Sequence, residues 1–223
     1  MTRLLFFKRL RVAVMAAFFG TVPAARAQVA SANSTPSQNI PLAAAAAAER
    51  LKLSGVANLG KISEVLLRGA QPQKKGFAGL LALGITTIVN LRQPGREVEW
   101  ERKLAESLGL HFVSIPISGW SAPSDAQVAQ FLMLFHDPAG QRVFVHCYYG
   151  DDRTGVMVAS YRIAQQHWTA EHALEEMYSF GFHYYLYPHM ESYVRKFPAN
   201  FAAGPAFSLL RVVPARESPA RQR

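Results

Sequence analysis

Cysteine is almost absent from this sequence. The 223 residues include a single cysteine, Cys147, so no disulfide can form within the chain. The seven histidines do not show the HxxxH or facial-triad spacing of a metal site. We therefore expect no metal and no other cofactor.

A long apolar run is also missing. The run near the N-terminus, Val12–Val22, has 11 residues, fewer than the roughly 20 that a membrane-spanning helix needs. It follows several Lys and Arg and precedes the small-x-small sequence Ala25-Arg26-Ala27. This order predicts a signal peptide over residues 1–27, cleaved before Gln28, and an exported protein, periplasmic or secreted. We expect no stable membrane insertion after cleavage; the alternative is an uncleaved anchor.

The net charge of +9 overstates how basic the remaining chain is. Five of the 24 Lys and Arg and none of the acids lie in residues 1–27, which leaves 19 bases against 15 acids. Four more arginines lie in residues 204–223 beside one acid, Glu217. The part between is close to neutral, so we expect no nucleic acid as a partner.

The rest of the chain divides by composition. Residues 28–48 are rich in Ser, Asn, Gln, Pro and Ala, which is typical of a flexible linker. Residues 204–223 combine Pro, Gly and Arg and predict a disordered tail. Residues 49–203 are long enough for one domain with a buried core, which we expect to be a monomer.

Within residues 49–203, strands alternate with helices. Short apolar, β-branched segments predict strands over 64–68, 86–91, 111–117 and 142–146. The intervening segments predict helices over 75–83, 97–108, 124–136, 153–167, 170–180 and 189–197, with Ser124 as an N-cap. This alternation indicates an α/β domain whose twisted, mainly parallel sheet of about four to five strands is flanked by helices.

The chemistry is concentrated where the strand over 142–146 meets the helix that follows it. Backbone N–H groups and a helix N-terminus converge there, which makes an anion site suited to phosphate. Gly150 relieves the steric cost of the turn. Arg153, six residues after Cys147, can hold two phosphate oxygens with its planar guanidinium.

Cys147 begins this loop and is the candidate nucleophile. A free thiol has a pKa of about 8.5, which helix N-termini and cations lower. Thiolate attack on phosphorus would give a phosphocysteine that water hydrolyses. The Thr154 hydroxyl can donate to the sulfur, and His146 is expected to orient the loop through backbone hydrogen bonds. The alternative is that Cys147 is only a small buried hydrophobic residue without a catalytic role.

The stretch His146-Cys147-Tyr148-Tyr149-Gly150-Asp151-Asp152-Arg153-Thr154-Gly155 resembles the HCxxGxxR[ST]G signature of the protein tyrosine and dual-specificity phosphatase superfamily. Segments 67–72 and 83–92 are similar to the start of small bacterial and plant or fungal atypical dual-specificity phosphatases. The resemblance covers about residues 58–185. It implies a cysteine-phosphatase fold, with the active-site loop between the last core strand and a helix. It also implies phosphorylated proteins or phosphoinositides as substrates, and no metal.

Departure of the leaving group needs a general acid, which is a carboxyl group within reach of the leaving oxygen. Larger relatives carry an Asp on a separate loop, and here the loop over 117–125 contains one acid, Asp125. Asp125 either serves as the acid or only favours the N-terminus of its helix. The position of Asp152 resembles that of the loop aspartate in myotubularin-like lipid phosphatases, and we favour it. Asp151 beside it makes a carboxylate pair that could keep one proton.

Several residues expected near the loop of Cys147 each have two possible roles. Tyr148 and Tyr149 either wall the substrate pocket or pack into the core, and Trp120 either lines the pocket mouth or is structural. Arg68 and Arg92 either add positive charge for the substrate or pair with Glu97 and Glu99.

Four functions follow in order of preference. The first is a protein tyrosine or dual-specificity phosphatase, and the second a phosphoinositide or inositol-phosphate phosphatase. The third is a catalytically weak, phosphate-binding pseudophosphatase. The fourth is a rhodanese-type sulfurtransferase, which Arg153-Thr154-Gly155 disfavours.

Overall fold

The computed structural model describes residues 45–136 and 140–212. The signal peptide over 1–27, linker residues 28–44 and tail residues 213–223 lie outside these ranges, so those predictions remain predictions. Within the described residues, no helix combines the length and apolarity that crossing a bilayer requires.

A sheet of six strands crosses the described part of the domain. Its strands are β1 (Glu49–Arg50), β2 (Gly60–Lys61), β3 (Leu66–Gly69), β4 (Thr87–Asn90), β5 (His111–Ser114) and β6 (Val143–His146). Their order is β1-β2-β3-β6-β4-β5. The last four are parallel, whereas β1 and β2 pair antiparallel at one edge. The fully buried β3, β4 and β6 explain why these strands read as continuous apolar runs.

Helices cover both faces of this sheet. On one face lie α1 (Gly76–Ala82) and α2 (Arg96–Ser107), which bury Phe77, Leu80 and Ala105 against Ile88 and Phe144. On the other lie α3 (Asp125–Met133), α4 (Asp152–Gln166), α5 (Ala170–Ser179) and α6 (Pro188–Ala203). Every residue of α4 from Thr154 to Ala164 is buried, so the packing fixes the start of α4 relative to the sheet.

This architecture confirms the predicted α/β fold, with differences at its edges. Six strands are present rather than four to five, because β1 and β2 have two residues each and are too short to show a periodic pattern. Ser124 does begin α3, through a capping box in which it and Gln127 exchange side chain-to-backbone hydrogen bonds of 3.3 and 2.8 Å.

The predicted tail boundary at residue 204 is wrong for the residues that the structure describes. After α6, a 3₁₀ turn (Pro205–Phe207) leads into α7 (Ser208–Val212). Phe207 is fully buried and its ring packs on Phe197 and Phe201, and Leu210 is also buried. The apolar residues among the Pro, Gly and Arg of this segment therefore extend the core to residue 210.

Candidate active site

The candidate site lies where three parallel strands end level with one another. Gly69 of β3 and Asn90 of β4 are both paired in register with His146, the last residue of β6. The loop over 147–151 then turns into α4, which begins at Asp152. We call residues 147–153 the cradle. The sequence placed it correctly, at the junction of the central strand and a buried helix.

Cys147 lies at the floor of the cradle, with 1% of its surface exposed. Its Sγ accepts a hydrogen bond from the backbone N–H of Gly150 at 3.3 Å. A backbone donor aimed at sulfur stabilises negative charge on it, which is the arrangement that a thiolate nucleophile requires.

Gly150 makes the turn of the cradle possible for two separate reasons. Its φ is +78°, a left-handed conformation that side chains with a Cβ disfavour. In addition, a Cβ at Gly150 would overlap the carbonyl group of Gly69 and lie 2.5 Å from the amide nitrogen of Ala70. The cradle therefore packs directly on the backbone that follows β3.

Arg68 holds the cradle from below. It is fully buried, and its Nη2 donates to the carbonyl oxygen of Gly150 at 2.6 Å. Its guanidinium also lies 4.0 Å from the ring centre of Phe180. Burial lowers the pKa of Arg68 to about 10, whereas the nearby Glu176 and Cys147 raise it. Arg68 thus supports the loop as a buried cation, and among the described residues it does not pair with Glu97 or Glu99.

Asn58 fastens the cradle from a second direction. Its Nδ2 donates to the carbonyl oxygens of Tyr149 at 3.4 Å, Gly150 at 3.2 Å and Phe180 at 3.0 Å. Asn58 itself adopts a left-handed conformation with φ of 51°, which Asn tolerates better than most residues. One amide therefore ties the cradle to the end of α5. No sequence motif marks Asn58, so it was not among the predicted site residues.

His146 faces away from the cradle, into the interior. Its Nδ1 lies 2.8 Å from the carbonyl oxygen of Cys147, a contact that only an Nδ1–H donor makes favourable. Its Nε2 lies 2.6 Å from Oε1 of Glu101 on α2, and both side chains are fully buried. The predicted backbone bond of His146 is therefore present, while its carboxylate partner was not predicted.

Arg153 and Thr154 occupy the first turn of α4. Arg153 is half-buried, and it makes no hydrogen bond or ion pair with any other described residue, which leaves its guanidinium available to an anion. Thr154 is fully buried, and its Oγ1 has no hydrogen-bond partner among the described residues. Donation from Thr154 to the sulfur thus remains a prediction.

The cradle acids Asp151 and Asp152 lie beside a histidine that the sequence analysis had not singled out. The amide and Nδ1 of His183 approach Oδ1 of Asp152 at 2.9 and 3.2 Å. Asp151 caps α4 by accepting a hydrogen bond from the amide of Asp152 at 2.8 Å. Burial raises the pKa of Asp151, as does the neighbouring charge of Asp152, while the bond from that amide opposes the rise.

Asp125 has a different partner. At the first position of α3, it accepts a hydrogen bond from the hydroxyl of Tyr193 on α6 at 2.8 Å. Burial and this bond raise the pKa of Tyr193, so the hydroxyl keeps its proton and remains a donor. No hydrogen bond joins Asp125 to the cradle among the described residues.

Asp151, Asp152 and His183 also form a group in which three potential metal ligands lie within 4.8 Å of one another. The hydrogen bonds described above already use one oxygen of Asp151, one of Asp152 and Nδ1 of His183. Adjacent acids are common without a metal, and nothing else in their surroundings indicates a cation.

Exposed aromatic rings border the cradle. Tyr148 and Tyr149 are 48% and 65% exposed and contact each other edge to face, so they line the surface rather than the core. Trp120 lies against Tyr187, whose pKa is raised by burial and by Asp152 and lowered by Arg153. Tyr187 therefore lies near the charged residues of the cradle, with Trp120 beside it. Tyr184 and Tyr185 extend the exposed set.

Arg92 lies beside Tyr148 and is paired with other side chains. Its Nη2 pairs with Glu97 at 2.5 Å, and its Nη1 donates to the side chain of Gln71. Its guanidinium lies 5.1 Å from the ring centre of Tyr148. The pairing that the sequence suggested for Arg92 with Glu97 is confirmed.

Comparison with known proteins places this geometry in a family context. Residues 48–187 match the family model described as PTP-NADK, a DSP-PTPase phosphatase fused to NAD+ kinase. The dual specificity protein phosphatase TpbA of Pseudomonas aeruginosa is 33% identical over 128 residues, which are 56% of this chain and 55% of that protein. The phosphatidylglycerophosphate phosphatase PTPMT2 of Arabidopsis thaliana is 28% identical over 140 residues, 61% of each chain.

Solved structures agree with the sequence relatives. The crystal structure of P. aeruginosa TpbA superposes with a TM-score of 0.57 at 28% identity, covering 70% of this chain and 97% of that one. A variant of the same protein has been solved in complex with pTyr. This chain spans about half the length of the curated TpbA sequences that it matches.

Proposed function

Because this chain belongs to the DSP-PTPase phosphatase family, we propose that it removes phosphate from phosphotyrosine, or from phosphotyrosine and phosphoserine or phosphothreonine, in proteins. One observation carries the proposal. A buried cysteine, with a backbone N–H on its sulfur, lies in a loop that ends at a helix N-terminus and at an arginine with no partner among the described residues. That combination binds a phosphate dianion and presents a nucleophile to it.

The reaction would take two steps. In the first, the Cys147 thiolate attacks phosphorus, an S–P bond forms and the P–O bond to the substrate oxygen breaks. That oxygen takes a proton from an acid of the site. In the second, water attacks the phosphocysteine, the S–P bond breaks and the thiolate is restored, while the water proton returns to the acid. Arg153 would hold the phosphoryl oxygens through both steps, and the Gly150 amide would stabilise the departing sulfur.

For the acid, we propose the cradle pair Asp151 and Asp152 in place of Asp125. Burial favours the protonated form of Asp151, and the neighbouring Asp152 accepts a hydrogen bond from the amide of His183. A carboxyl group whose pKa is raised beside a phosphate site is suited to transfer a proton. Asp125 is engaged with Tyr193 instead.

The charges around the cradle favour a substrate with a single phosphate. Among the described residues, the cations near the cradle other than Arg153 are engaged: Arg68 is buried and Arg92 is paired with Glu97. A second phosphate would meet the acidic pair Asp151 and Asp152 instead of a free cation. The exposed rings of Tyr148 and Tyr149 are suited to stack on an aromatic phosphoester.

A phosphoinositide or related lipid phosphate is the second candidate substrate. Two observations favour it: the similarity to a phosphatidylglycerophosphate phosphatase, and Asp152 at the position of the loop aspartate in lipid phosphatases. An activity panel separates the candidates. We expect the purified protein to hydrolyse phosphotyrosine peptides with a kcat/KM at least tenfold above that for inositides with two or more phosphates. The reverse ratio would favour the second candidate.

We also propose that the protein is exported as a monomer, periplasmic or secreted. The basic leader, apolar run and Ala25-Arg26-Ala27 support cleavage before Gln28. N-terminal sequencing of the protein recovered outside the cytoplasm should begin at Gln28, and sedimentation should give the mass of one chain. Retention of residues 1–27 in membranes would show an anchor instead.

A further inference from the structure

A chain of buried polar contacts runs from the interior to the nucleophile. Glu101 on α2 lies at its centre. Its Oε2 accepts hydrogen bonds from Asn90 Nδ2 at 2.9 Å and Gln71 Nε2 at 3.1 Å. Its Oε1 lies 2.6 Å from Nε2 of His146, whose Nδ1 reaches the carbonyl oxygen of Cys147. Glu101 and His146 are each 0% exposed.

The donors and acceptors around the pair indicate where its protons lie. Because Nδ1 of His146 donates to a carbonyl, Nδ1 carries a proton. Nε2 of His146 and Oε1 of Glu101 lie 2.6 Å apart, a distance that is favourable only when one of the two atoms carries a proton. Two lone pairs with no proton between them would repel each other. The amides of Asn90 and Gln71 stabilise the carboxylate form of Glu101, which leaves the second proton on His146.

We propose that Glu101 is a positioning residue for the nucleophile. It holds His146 as an imidazolium, and through it fixes the carbonyl of Cys147 and adds positive charge beside the thiolate. The inference deepens the proposed function, because it concerns the nucleophile of the same site. Glu101 does not touch the cradle itself, and it acts through His146. A buried carboxylate with no other described cation beside it would otherwise be costly.

Other charged groups face Cys147 and stay in place when Glu101 changes. Arg68 lies beneath the cradle from β3, and Arg153, Asp151 and Asp152 belong to the cradle and the start of α4. Tyr187 lies near them in the segment before α6, and its raised pKa keeps it neutral. These groups act on Cys147 in the wild type and in the variants alike, so a difference in alkylation midpoint reports the charge of His146.

The test uses Cys147 as its own reporter, since it is the one thiol in the chain. The rate of alkylation by iodoacetamide is followed against pH in the wild type, Glu101→Gln and Glu99→Gln. Glu99 is on the same helix but is exposed, and its Oε2 lies 3.6 Å from Nε of Arg102. With Gln at 101, buried His146 loses its proton, so the alkylation midpoint should rise by about one pH unit. Glu99→Gln should leave it unchanged.

The direction of the shift makes the result decisive. If Glu101 acted only as a negative charge near the sulfur, its removal would lower the midpoint. A lowered or unchanged midpoint in folded Glu101→Gln therefore overturns the proposal. Thermal unfolding establishes folding beforehand.

A second variant covers the case in which Glu101→Gln does not fold. His146→Gln removes the charge from the other end of the pair and should raise the midpoint equally. Where both single variants fold, the double variant should show no further rise, because the same interaction is already lost. An unchanged midpoint in His146→Gln, or additive shifts, would contradict the inference.

Alkylation does not require turnover, so the two proposals fail separately. A shifted midpoint in a protein that hydrolyses no phosphate ester would leave the role of Glu101 intact and refute the phosphatase function. Hydrolysis of a phosphate ester with an unshifted alkylation midpoint would support the phosphatase function and refute the role of Glu101.

Discussion

The hydroxyl of Tyr193 donates a hydrogen bond to Asp125 at 2.8 Å, across the contact between α3 and α6. This bond gives Asp125 a structural role, and it separates the loop acid from the cradle acids. The choice of proton donor therefore becomes a comparison of three carboxyl groups whose surroundings differ.

Asparagine substitutions at the three acids should rank them. Asp151→Asn or Asp152→Asn should lower kcat on a poor leaving group by about 10²-fold or more, since general acid catalysis contributes 10²–10⁴-fold. Asp125→Asn should change kcat less than about tenfold, because Asn still accepts from Tyr193. Steady-state assays with an alkyl and an activated aryl phosphate check this. A larger loss of kcat in Asp125→Asn would show that Asp125 is the general acid.

Asp151 should also influence stability through its burial. Its folded pKa is raised, so the folded state binds the proton more tightly than the unfolded state. Stability from this group is present below the unfolded pKa and falls as pH rises through the folded pKa. Asp151→Asn, which can still cap α4, should raise Tm more at pH 7 than at pH 3. An equal change in Tm at both pH values would contradict the assignment.

Gly150→Ala should abolish the cradle geometry. The added methyl group meets the Gly69 carbonyl and must also adopt φ of +78°. Gly109 is a matched control, with φ of +77° and nothing within 4 Å of a built Cβ. Gly109→Ala should cost about 1 kcal/mol in unfolding free energy and leave kcat/KM unchanged. Gly150→Ala should lower kcat/KM by about 100-fold or more, as expected for a misplaced catalytic group. Equal losses of kcat/KM in Gly150→Ala and Gly109→Ala would show that the close packing of Gly150 on Gly69 does not matter for activity.

The buried pair of Arg162 and Glu176 should dominate the polar contribution to stability. Nε and Nη2 of Arg162 donate to the two carboxylate oxygens of Glu176 at 2.9 and 2.6 Å. Glu176→Gln leaves the buried guanidinium without its carboxylate partner and should cost about 3–5 kcal/mol in chemical denaturation. Glu191 pairs with Arg195 on the exposed side of α6, so Glu191→Gln should leave the midpoint nearly unchanged. Similar losses in both variants would argue against burial as the cause.

The sequence predicted the parts of the site that are close together along the chain. Cys147, Gly150 and Arg153 fall within one loop, and the loop sits between an apolar strand and a helix whose patterns are both visible in the sequence. The alternation of strands and helices likewise predicted the layers of the fold.

The supports of the cradle could not be predicted in this way. Glu101, Asn58 and His183 contact the cradle or its neighbours from 31 to 92 residues away in sequence, through tertiary packing. From sequence alone, a polar residue on a helix or in a loop is predicted to be exposed, because its tertiary partner is not known. The short edge strands β1 and β2 and the buried Phe207 escaped prediction for a similar reason, since burial there depends on neighbours.

The most direct test of the account is the hydrolysis of an aryl phosphate by the wild type and by Cys147→Ser, with Arg153→Lys as a second comparison. The wild type should turn over the substrate and be inhibited by vanadate. Cys147→Ser should lose at least about 10³-fold in kcat while still binding phosphate, since it removes the nucleophile and keeps the cradle. Arg153→Lys should lose much of the rate, because Lys cannot grip two oxygens in a plane. Undiminished turnover by Cys147→Ser would contradict the central claim.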